Sequence, residues 1–271
     1  MPRHRATLEA ALAHVGFQLV ATVPEHAALD VQWRTALASG ATLFFVAGGD
    51  GTLRTAALHL ADTGRILAPL PGGTMNRFVA RLGLPDDLVA AIAAHRSGLV
   101  HDVALARVNG EPFLHQCVVG RVTWLMRLRE RGRGNGWRGW LRLARGVVRE
   151  VLRPRLPRVL VARLGPGHRA RAHTVVVTAP SAHEPPELCL HLAPNRALLV
   201  RLRQAWRWFH GRLSEDPDIL VRRDIRLAVT SAASSVRLSL DGESRQTTIP
   251  LRFHLQPRAL RVLAPPGDPH A

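Results

Sequence analysis

The chain has 271 residues, which at roughly 150 residues per domain suggests about two domains. Hydrophobic residues make up 46% of it, enough for a sizeable core, and no apolar run approaches the ~18 residues that a membrane-spanning helix needs. The 37 basic residues are all arginine and outnumber 20 acidic residues, so the net charge of +17 favours anionic partners. Only two, widely spaced cysteines argue against a disulfide scaffold or a zinc module. No signal peptide is recognisable, so we expect a cytoplasmic protein.

The first hundred residues predict alternating helices and strands. Helical spacing of apolar residues predicts a helix over residues 6–15, and the apolar segment Phe17–Val23 predicts a short strand. Two continuous apolar runs, 41–47 and 66–70, are typical of strands buried on both faces of a parallel sheet. Further helices are predicted at 31–38, 53–61 and 76–82, and at a segment capped by Asp86 or Asp87 that ends near Arg96. This rhythm predicts a doubly wound parallel α/β domain.

After residue 100 the pattern changes to short strands. Asn109-Gly110 predicts a tight hairpin turn between strands at 103–108 and 112–119. Two helical stretches interrupt the strands, an arginine- and tryptophan-rich one at 137–153 and another at 196–213. The further predicted strands lie at 159–164, 173–179, 188–192, 225–230, 235–240, 249–255 and 259–263. This spacing favours a β-sandwich domain.

Two glycine loops follow the two buried strands. The first reads Gly48-Gly49-Asp50-Gly51-Thr52, and the second reads Pro71-Gly72-Gly73-Thr74-Met75-Asn76. Glycines allow the backbone to approach a phosphate closely, and a helix N-terminus offers unpaired N–H groups to an anion. Because the carboxyl ends of parallel strands share one edge of the sheet, the loops are expected to form a crevice there. The alternative is a pair of ordinary glycine turns.

A pair of carboxylates, in Asp241-Gly242-Glu243, is the third candidate element. Two side chains at positions i and i+2 of a strand lie on the same face, so both carboxylates can reach one cleft. The alternative is a surface turn after a strand.

Together, the three motifs resemble the diacylglycerol kinase catalytic-domain family, which includes bacterial lipid kinases, ceramide kinase and sphingosine kinase. The resemblance runs from about residue 17 to residue 265. It implies an α/β nucleotide domain over 1–98, a β-sandwich lipid domain over 99–265 and a tail over 266–271, with the active site between the domains. The reaction implied is transfer of the γ-phosphoryl group of ATP to a lipid hydroxyl, with Mg²⁺ neutralising phosphate charge.

Matching positions then receive the family's roles. Asp241 is implied as the general base and Glu243 as its partner, with Asp50 as a further catalytic candidate. Asp50 and Glu243 are the implied Mg²⁺ ligands. The implied nucleotide-binding residues are Gly48, Gly49, Asp50, Gly51, Thr52, Leu53, Arg54, Gly73, Thr74, Asn76 and, as a weaker match, Thr22.

The chain departs from the family pattern in several places. It begins at the helix that would follow the family's first strand, so that strand and its Asn-Pro-x-Ser-Gly turn are missing from this sequence. Thr55 stands where the family usually has glutamate, and the segment 179–188 lacks the Asp-Asp-Gly near a structural Mg²⁺ site. A start site assigned too late would explain the missing strand, and a non-catalytic pseudokinase would explain all the departures.

Two alternative functions are an NAD kinase and a non-catalytic pseudokinase. An NAD kinase shares the first glycine loop but not the other two motifs, and a pseudokinase would bind nucleotide or lipid without catalysis. For partners, we expect ATP, a membrane lipid substrate and peripheral contact with the anionic inner face of the membrane. The segment 137–153 could make this contact, but packing of its apolar stripe on the β-domain is the favoured interpretation. No specific nucleic acid is expected, because no reading module is recognisable.

Overall fold

The computed structural model describes residues 2–23, 27–120, 160–163, 169–181, 184–193, 200, 203–204, 206–207, 212 and 215–266. The chain forms two compact units, which are described separately. Unit 1 comprises Met1–Leu105, Pro180–Pro186 and Gln256–Ala271, and unit 2 comprises Ala106–Ala179 and Glu187–Leu255. The 180–186 segment and the end of the last strand therefore belong to unit 1, whereas the sequence analysis assigns them to the second domain. The predicted helix at 137–153 lies outside the described residues, as does most of the 196–213 stretch.

Unit 1 is a parallel α/β unit, as predicted. Strands β1 and β2 are parallel, and β2 is also parallel to the second half of β14, with Ile66 opposite Arg261. Its elements are α1 (Pro2–Val15), α2 (Leu29–Ala38), β1 (Leu43–Gly48), α3 (Asp50–Leu60), β2 (Ile66–Pro71), α4 (Arg77–Arg81), α5 (Leu88–Arg96), the start of β3 (Leu99–Val108) and the end of β14 (Leu251–Ala264).

Helices cover the parallel strands with apolar side chains. Leu12 of α1 and Ile92 of α5 pack against Leu70 of β2 in one core cluster. On α3, the buried positions Leu53, Ala56, Ala57 and Leu60 recur with helical periodicity. Asp87 caps α5, because its side chain accepts a hydrogen bond of 2.9 Å from the backbone N–H of Ala90. Of the two predicted cap candidates, Asp87 is therefore confirmed.

The predicted strand Phe17–Val23 is wrong. The segment forms no β-ladder, although the ring of Phe17 packs on Phe45 of β1 with centroids 4.8 Å apart. A strand requires a neighbour that accepts and donates its backbone hydrogen bonds. In the described part of the chain β1 pairs with β2 alone, and Leu19 and Val20 are 41% and 66% exposed. Apolar composition therefore produced a strand prediction that pairing does not support.

Unit 2 is antiparallel β-structure, which confirms the predicted change of class. One set of strands has the order β14-β11-β6-β7, and a six-stranded sheet has the order β10-β9-β8-β5-β12-β13. The elements are β4 (Glu111–Phe113), β5 (Gln116–Gly120), β6 (Leu160–Arg163), β7 (Arg169–Ala172), β8 (Thr174–Thr178), β9 (Leu188–Ala193), β10 (Leu220–Asp224), β11 (Arg226–Thr230), β12 (Ser235–Leu240), β13 (Glu243–Thr248) and the start of β14.

The hairpin predicted at Asn109-Gly110 is confirmed. β3 and β4 pair antiparallel with Val108 opposite Glu111, so two residues make the turn. Both turn residues have positive φ, +49° and +88°, the requirement that makes Asn-Gly favourable in such turns. Three strands were missed by the sequence analysis, namely β7, β10 and β13. β13 reads Glu-Ser-Arg-Gln-Thr-Thr and carries no apolar residue that could signal it.

Helices in the described residues are all too short or too polar to cross a membrane.

Candidate functional site

The two glycine loops lie side by side at one edge of the unit 1 sheet. β1 and β2 are parallel, and their register places Gly48 opposite Pro71, so both strands end at the same level. After β1, Gly49 leads directly into α3, which begins at Asp50. After β2, the residues from Gly72 to Met75 are exposed. The first loop therefore presents the N-terminus of an eleven-residue helix beside an exposed glycine segment.

The backbones of the two loops are in direct contact. A Cβ atom on Gly73 would lie 2.5 Å from the Cα of Gly49, and one on Gly72 would lie 2.7 Å from the backbone N of Gly48. Both distances are far shorter than a van der Waals contact, and the opposing atoms are backbone. Glycine is therefore required by close approach at these positions. The result is a site whose surface is made of peptide groups rather than side chains.

Two polar side chains hold the loops in this arrangement. Asp50 is 8% exposed, and its Oδ1 accepts a hydrogen bond of 3.0 Å from the backbone N–H of Phe78 at the start of α4. Asn76 has φ +43°, and its Oδ1 accepts a hydrogen bond of 2.8 Å from the backbone N–H of Gly73. The Nδ2 of Asn76 donates to Asp86. Asp50 thus ties the first loop to α4, and Asn76 closes the second loop.

The remaining predicted nucleotide residues differ in what they expose. Thr52 and Thr74 are exposed, so their hydroxyls can reach a ligand at the loops. The side chain of Leu53 is fully buried and packs in the core, and its backbone N–H donates to the carbonyl oxygen of Gly49. Arg54 is 6% exposed. Thr22 lies in the segment after α1, which is not a strand.

The Asp241-Gly242-Glu243 motif forms the turn between β12 and β13 in unit 2. The carboxylate of Asp241 accepts three backbone N–H groups: Oδ2 from Leu114 at 2.8 Å, and Oδ1 from His115 and Gln116 at 2.9 Å each. Asp241 is 8% exposed and has φ +49°. Three donors occupy most of the lone-pair sites of a carboxylate. Asp241 therefore fixes the turn before β5.

Glu243 is placed differently from Asp241. Its side chain is 50% exposed, and it forms a 3.5 Å ion pair with Arg245, which also lies 3.4 Å from Glu111. An exposed ion pair of this length contributes little to stability. Glu243 is therefore the carboxylate of the motif that remains accessible to a substrate.

The described residues contain no group of three or more His, Cys, Asp or Glu residues that could hold a metal ion. A Mg²⁺ that accompanies phosphates needs only one or two carboxylates, because phosphate oxygens and water supply its other ligands. Asp50 fits this requirement with one oxygen, since Oδ1 is already committed to Phe78. Glu243, the other predicted ligand, belongs to unit 2. Glu184 pairs instead with Arg81 at 3.2 Å in unit 1.

Sequence reasoning missed three contributors to these arrangements. They are Asp86, which holds Asn76; the N–H groups of residues 114–116, which hold Asp241; and the Arg81–Glu184 pair. Asn76 and Asp86 are 10 residues apart, Arg81 and Glu184 are 103 apart, and Leu114 and Asp241 are 127 apart. A local motif carries no signal for such partners.

Comparison with protein families gives a match in the N-terminal part of the chain. The model of the diacylglycerol kinase catalytic domain matches residues 2–108. Over 86 residues, the chain is 35% identical to a diacylglycerol kinase of Bacillus subtilis, and the aligned segment makes up 31% of this chain and 28% of that protein. Over 88 residues, it is 41% identical to a probable YegS-like lipid kinase of Pseudomonas aeruginosa, covering 31% and 28%. The matched segments thus span less than a third of these relatives.

Solved structures extend the likeness in fold along the chain. A crystal structure of a diacylglycerol kinase from Bacillus anthracis has a TM-score of 0.66 and 20% identity, covering 94% of this chain and 89% of that one. A putative diacylglycerol kinase from the same organism has a TM-score of 0.63 and 21% identity, covering 85% and 81%. Sequence identity at this level establishes the fold alone.

Proposed function

We propose that this chain, whose residues 2–108 match the model of the diacylglycerol kinase catalytic domain, is a lipid kinase that transfers the γ-phosphoryl group of ATP to a lipid hydroxyl. The observation that carries the proposal is the backbone contact between the two glycine loops at the N-terminus of α3. Peptide N–H groups and a helix N-terminus match the negative charge of a polyphosphate. Phosphoryl transfer depends mainly on positioning and charge stabilisation, which this construction supplies.

On this proposal, the residues Gly48–Thr52 and Gly73–Thr74 hold the phosphates of ATP. Thr52 and Thr74 add exposed hydroxyls to the backbone donors. Asp50 keeps the first loop and α4 together through Phe78 and offers its second oxygen to a cation. A bound Mg²⁺ would neutralise phosphate charge.

The proton acceptor for the lipid hydroxyl is proposed to be Glu243 rather than Asp241. The three N–H groups that donate to Asp241 stabilise its charged form and reduce its tendency to accept a proton. Glu243 is accessible and follows Asp241 by two residues, at the start of β13. Asp241 then acts as a positioning residue that fixes the turn from which Glu243 projects.

The test is single-turnover transfer from radiolabelled ATP to a panel of acceptors: diacylglycerol, ceramide, a sphingoid base, phosphatidylglycerol and NAD. Replacing Glu243 by Gln is expected to slow transfer by roughly 10²–10⁴-fold, the usual contribution of general-base catalysis, with ATP affinity unchanged. Glu111→Gln is the matched control, because Glu111 is exposed and contacts the same Arg245. It is expected to retain wild-type transfer.

The alternatives give different outcomes in this test. Transfer to NAD alone would identify an NAD kinase. ATP binding without transfer to any acceptor would favour the non-catalytic pseudokinase. Equal rates for wild type and Glu243→Gln would remove Glu243 as the proton acceptor while leaving the kinase proposal intact.

We further propose that the protein meets its lipid substrate by peripheral contact with an anionic membrane. The net charge of +17 supports this contact, since basic residues are attracted to acidic headgroups.

A further inference from the structure

Unit 2 carries a strongly basic sheet face on β14, β11, β6 and β7. Along these strands buried and exposed residues alternate, as expected for a sheet with one face in the core. The buried face includes Leu227, Val229, Leu251, Phe253, Leu160 and Ala162. The opposite face carries the exposed side chains Arg169, Arg171, Arg226, Arg252 and His254. We call this set the arginine face.

No carboxylate neutralises the arginine face within the described chain. The four strand segments 160–163, 169–172, 226–230 and 251–255 contain no aspartate or glutamate. Asp224 accepts a hydrogen bond from the backbone N–H of Arg226, but none of the four guanidinium groups forms an ion pair among the described residues. By contrast, Arg34 and Arg212 each pair with an acidic residue of their own segment.

The strand register brings these like charges close together. Arg226 lies opposite His254, which makes Arg252 its diagonal neighbour on the same face. Arg169 and Arg171 are two residues apart on β7 and point to the same side. The register also places Arg163 between Ala228 and Arg169. Like charges at such positions destabilise an isolated sheet, so a multivalent anionic partner would relieve the repulsion.

We propose that the arginine face binds the anionic phospholipid surface of a membrane. This inference rests on the proposed function, which requires a lipid substrate, and it adds the surface that makes the contact. Ala228 and Thr230 of β11 lie on the same face, and the four strands span three strand spacings, about 14 Å. The described positions of the face carry no phenylalanine, tyrosine or tryptophan, so it lacks the large stacking platforms typical of single-stranded nucleic-acid binding.

The test measures binding of the full chain to vesicles of phosphatidylcholine and phosphatidylglycerol in equal parts. The face variant replaces Arg169, Arg171, Arg226 and Arg252 by Gln. At about fivefold per basic residue near an anionic surface, its affinity is expected to fall by at least about two orders of magnitude. Its binding should also depend less on salt, because screening acts on the charges that were removed.

A charge-matched control separates this face from net charge. The control variant replaces Arg96, Arg222, Arg223 and Arg237 by Gln; these are exposed and lie outside the arginine face. It loses the same four charges and is expected to keep affinity within about fivefold of wild type, the weight of a single residue. Equal losses in both variants, or equal binding of wild type to pure phosphatidylcholine vesicles, would overturn the proposal. Unchanged vesicle binding with lost binding to double-stranded DNA would replace it with a nucleic-acid surface.

Phosphotransfer to lipid dispersed in neutral detergent micelles distinguishes this inference from the proposed function. The face variant is expected to match wild type there, because no anionic surface is involved. Wild type that binds anionic vesicles through the face but transfers no phosphoryl group would support the surface and overturn the kinase. If the wild type is active but the face variant binds vesicles as tightly as the wild type does, the membrane-binding proposal is overturned and the kinase proposal is not.

Discussion

The glycine loops of unit 1 and the acidic turn of unit 2 are built on opposite principles. In the loops the functional surface is backbone, and glycine is needed because a Cβ on Gly73 would lie 2.5 Å from Gly49. In the turn the organising group is a side chain, the Asp241 carboxylate, which three backbone N–H groups surround. The contact between the loops excludes a side chain at Gly73, whereas the acidic turn depends on the side chain of Asp241.

This difference decides what each region tolerates. Where two backbones are in contact, a substitution of glycine adds a Cβ atom that must displace one of the loops. A carboxylate held by N–H donors can be replaced by an amide of the same shape, at the cost of charge and of part of its hydrogen bonding. Substitutions in unit 1 are therefore expected to act through geometry, and those in unit 2 through charge and stability.

The largest effect is expected from Gly73→Ala. Its Cβ meets backbone of the other loop, so the loops must separate, and misplacement of about 1 Å in an organised site can cost about 10²-fold. We expect ATP affinity, measured by calorimetry, to fall by at least that factor. Gly49→Ala should have a smaller effect, because its Cβ would lie 3.3 Å from Gly73.

Gly83→Ala is the control for the glycine prediction. Gly83 has φ +73° and open space around it, so alanine adds backbone strain without a clash. The strain is expected to cost about 1–2 kcal/mol of stability, with ATP affinity unchanged. ATP affinity retained in Gly73→Ala would contradict a backbone-built site.

The next effect, on stability, is expected from Asp241→Asn. Asparagine adopts positive φ readily, so the +49° backbone is not strained by the change. The new amide nitrogen cannot accept from an N–H group, which leaves at least one buried donor without its partner. Loss of such a bond to a charged group costs about 1.5–3 kcal/mol, visible as a lower midpoint of denaturant unfolding.

Asp224→Asn is the matched control for the turn. Asp224 accepts only one backbone N–H, that of Arg226 at 3.1 Å, in an exposed position, and an amide oxygen can keep this bond. We expect its stability to remain within about 0.5 kcal/mol of wild type, as for ordinary surface substitutions. A similar loss of stability in both variants would show that the three hydrogen bonds to Asp241 contribute no more to stability than the single bond to Asp224.

Local sequence signals were sufficient where one segment determines the structure. The apolar runs of β1 and β2, the capping Asp87 and the Asn109-Gly110 turn each act over a few residues, and each was predicted. The glycine loops were also recognised, because glycines that follow a buried strand are visible in the sequence.

Signals failed where the partner is distant or missing. Phe17–Val23 is apolar but has no neighbouring strand to pair with, and β13 is a strand because it pairs with β12 despite its polar sequence. Likewise, the backbone N–H partners of Asp241, up to 127 residues away, are invisible in a local motif. The acidic turn could be predicted from the sequence, but the hydrogen bonds that hold Asp241 could not.

The smallest effect concerns pH, and it can be assigned to each unit through one buried histidine. In unit 1, burial lowers the pKa of His95, although its Nε2 lies 3.0 Å from the carbonyl oxygen of Pro69. In unit 2, burial and the nearby charge of Arg223 lower the pKa of His191. Both rings are therefore held neutral in the folded protein at pH values where an unfolded chain, with a pKa of about 6.5, takes up protons.

The sign follows from this proton uptake. Because the unfolded state binds more protons below about pH 7, stability is full above that pH and decreases as pH falls through 6.5 towards the folded pKa values. Asp216 acts in a separate, more acidic range, since hydrogen bonds from Arg203 lower its pKa and its contribution is lost only as pH falls below about 4. Denaturant unfolding followed between pH 7.5 and 5.5 should therefore show a decline in stability that His95→Gln and His191→Val each reduce. If only one of the two substitutions reduces the loss of stability, protonation of that histidine alone accounts for the pH dependence. If neither reduces it, the burial argument is contradicted.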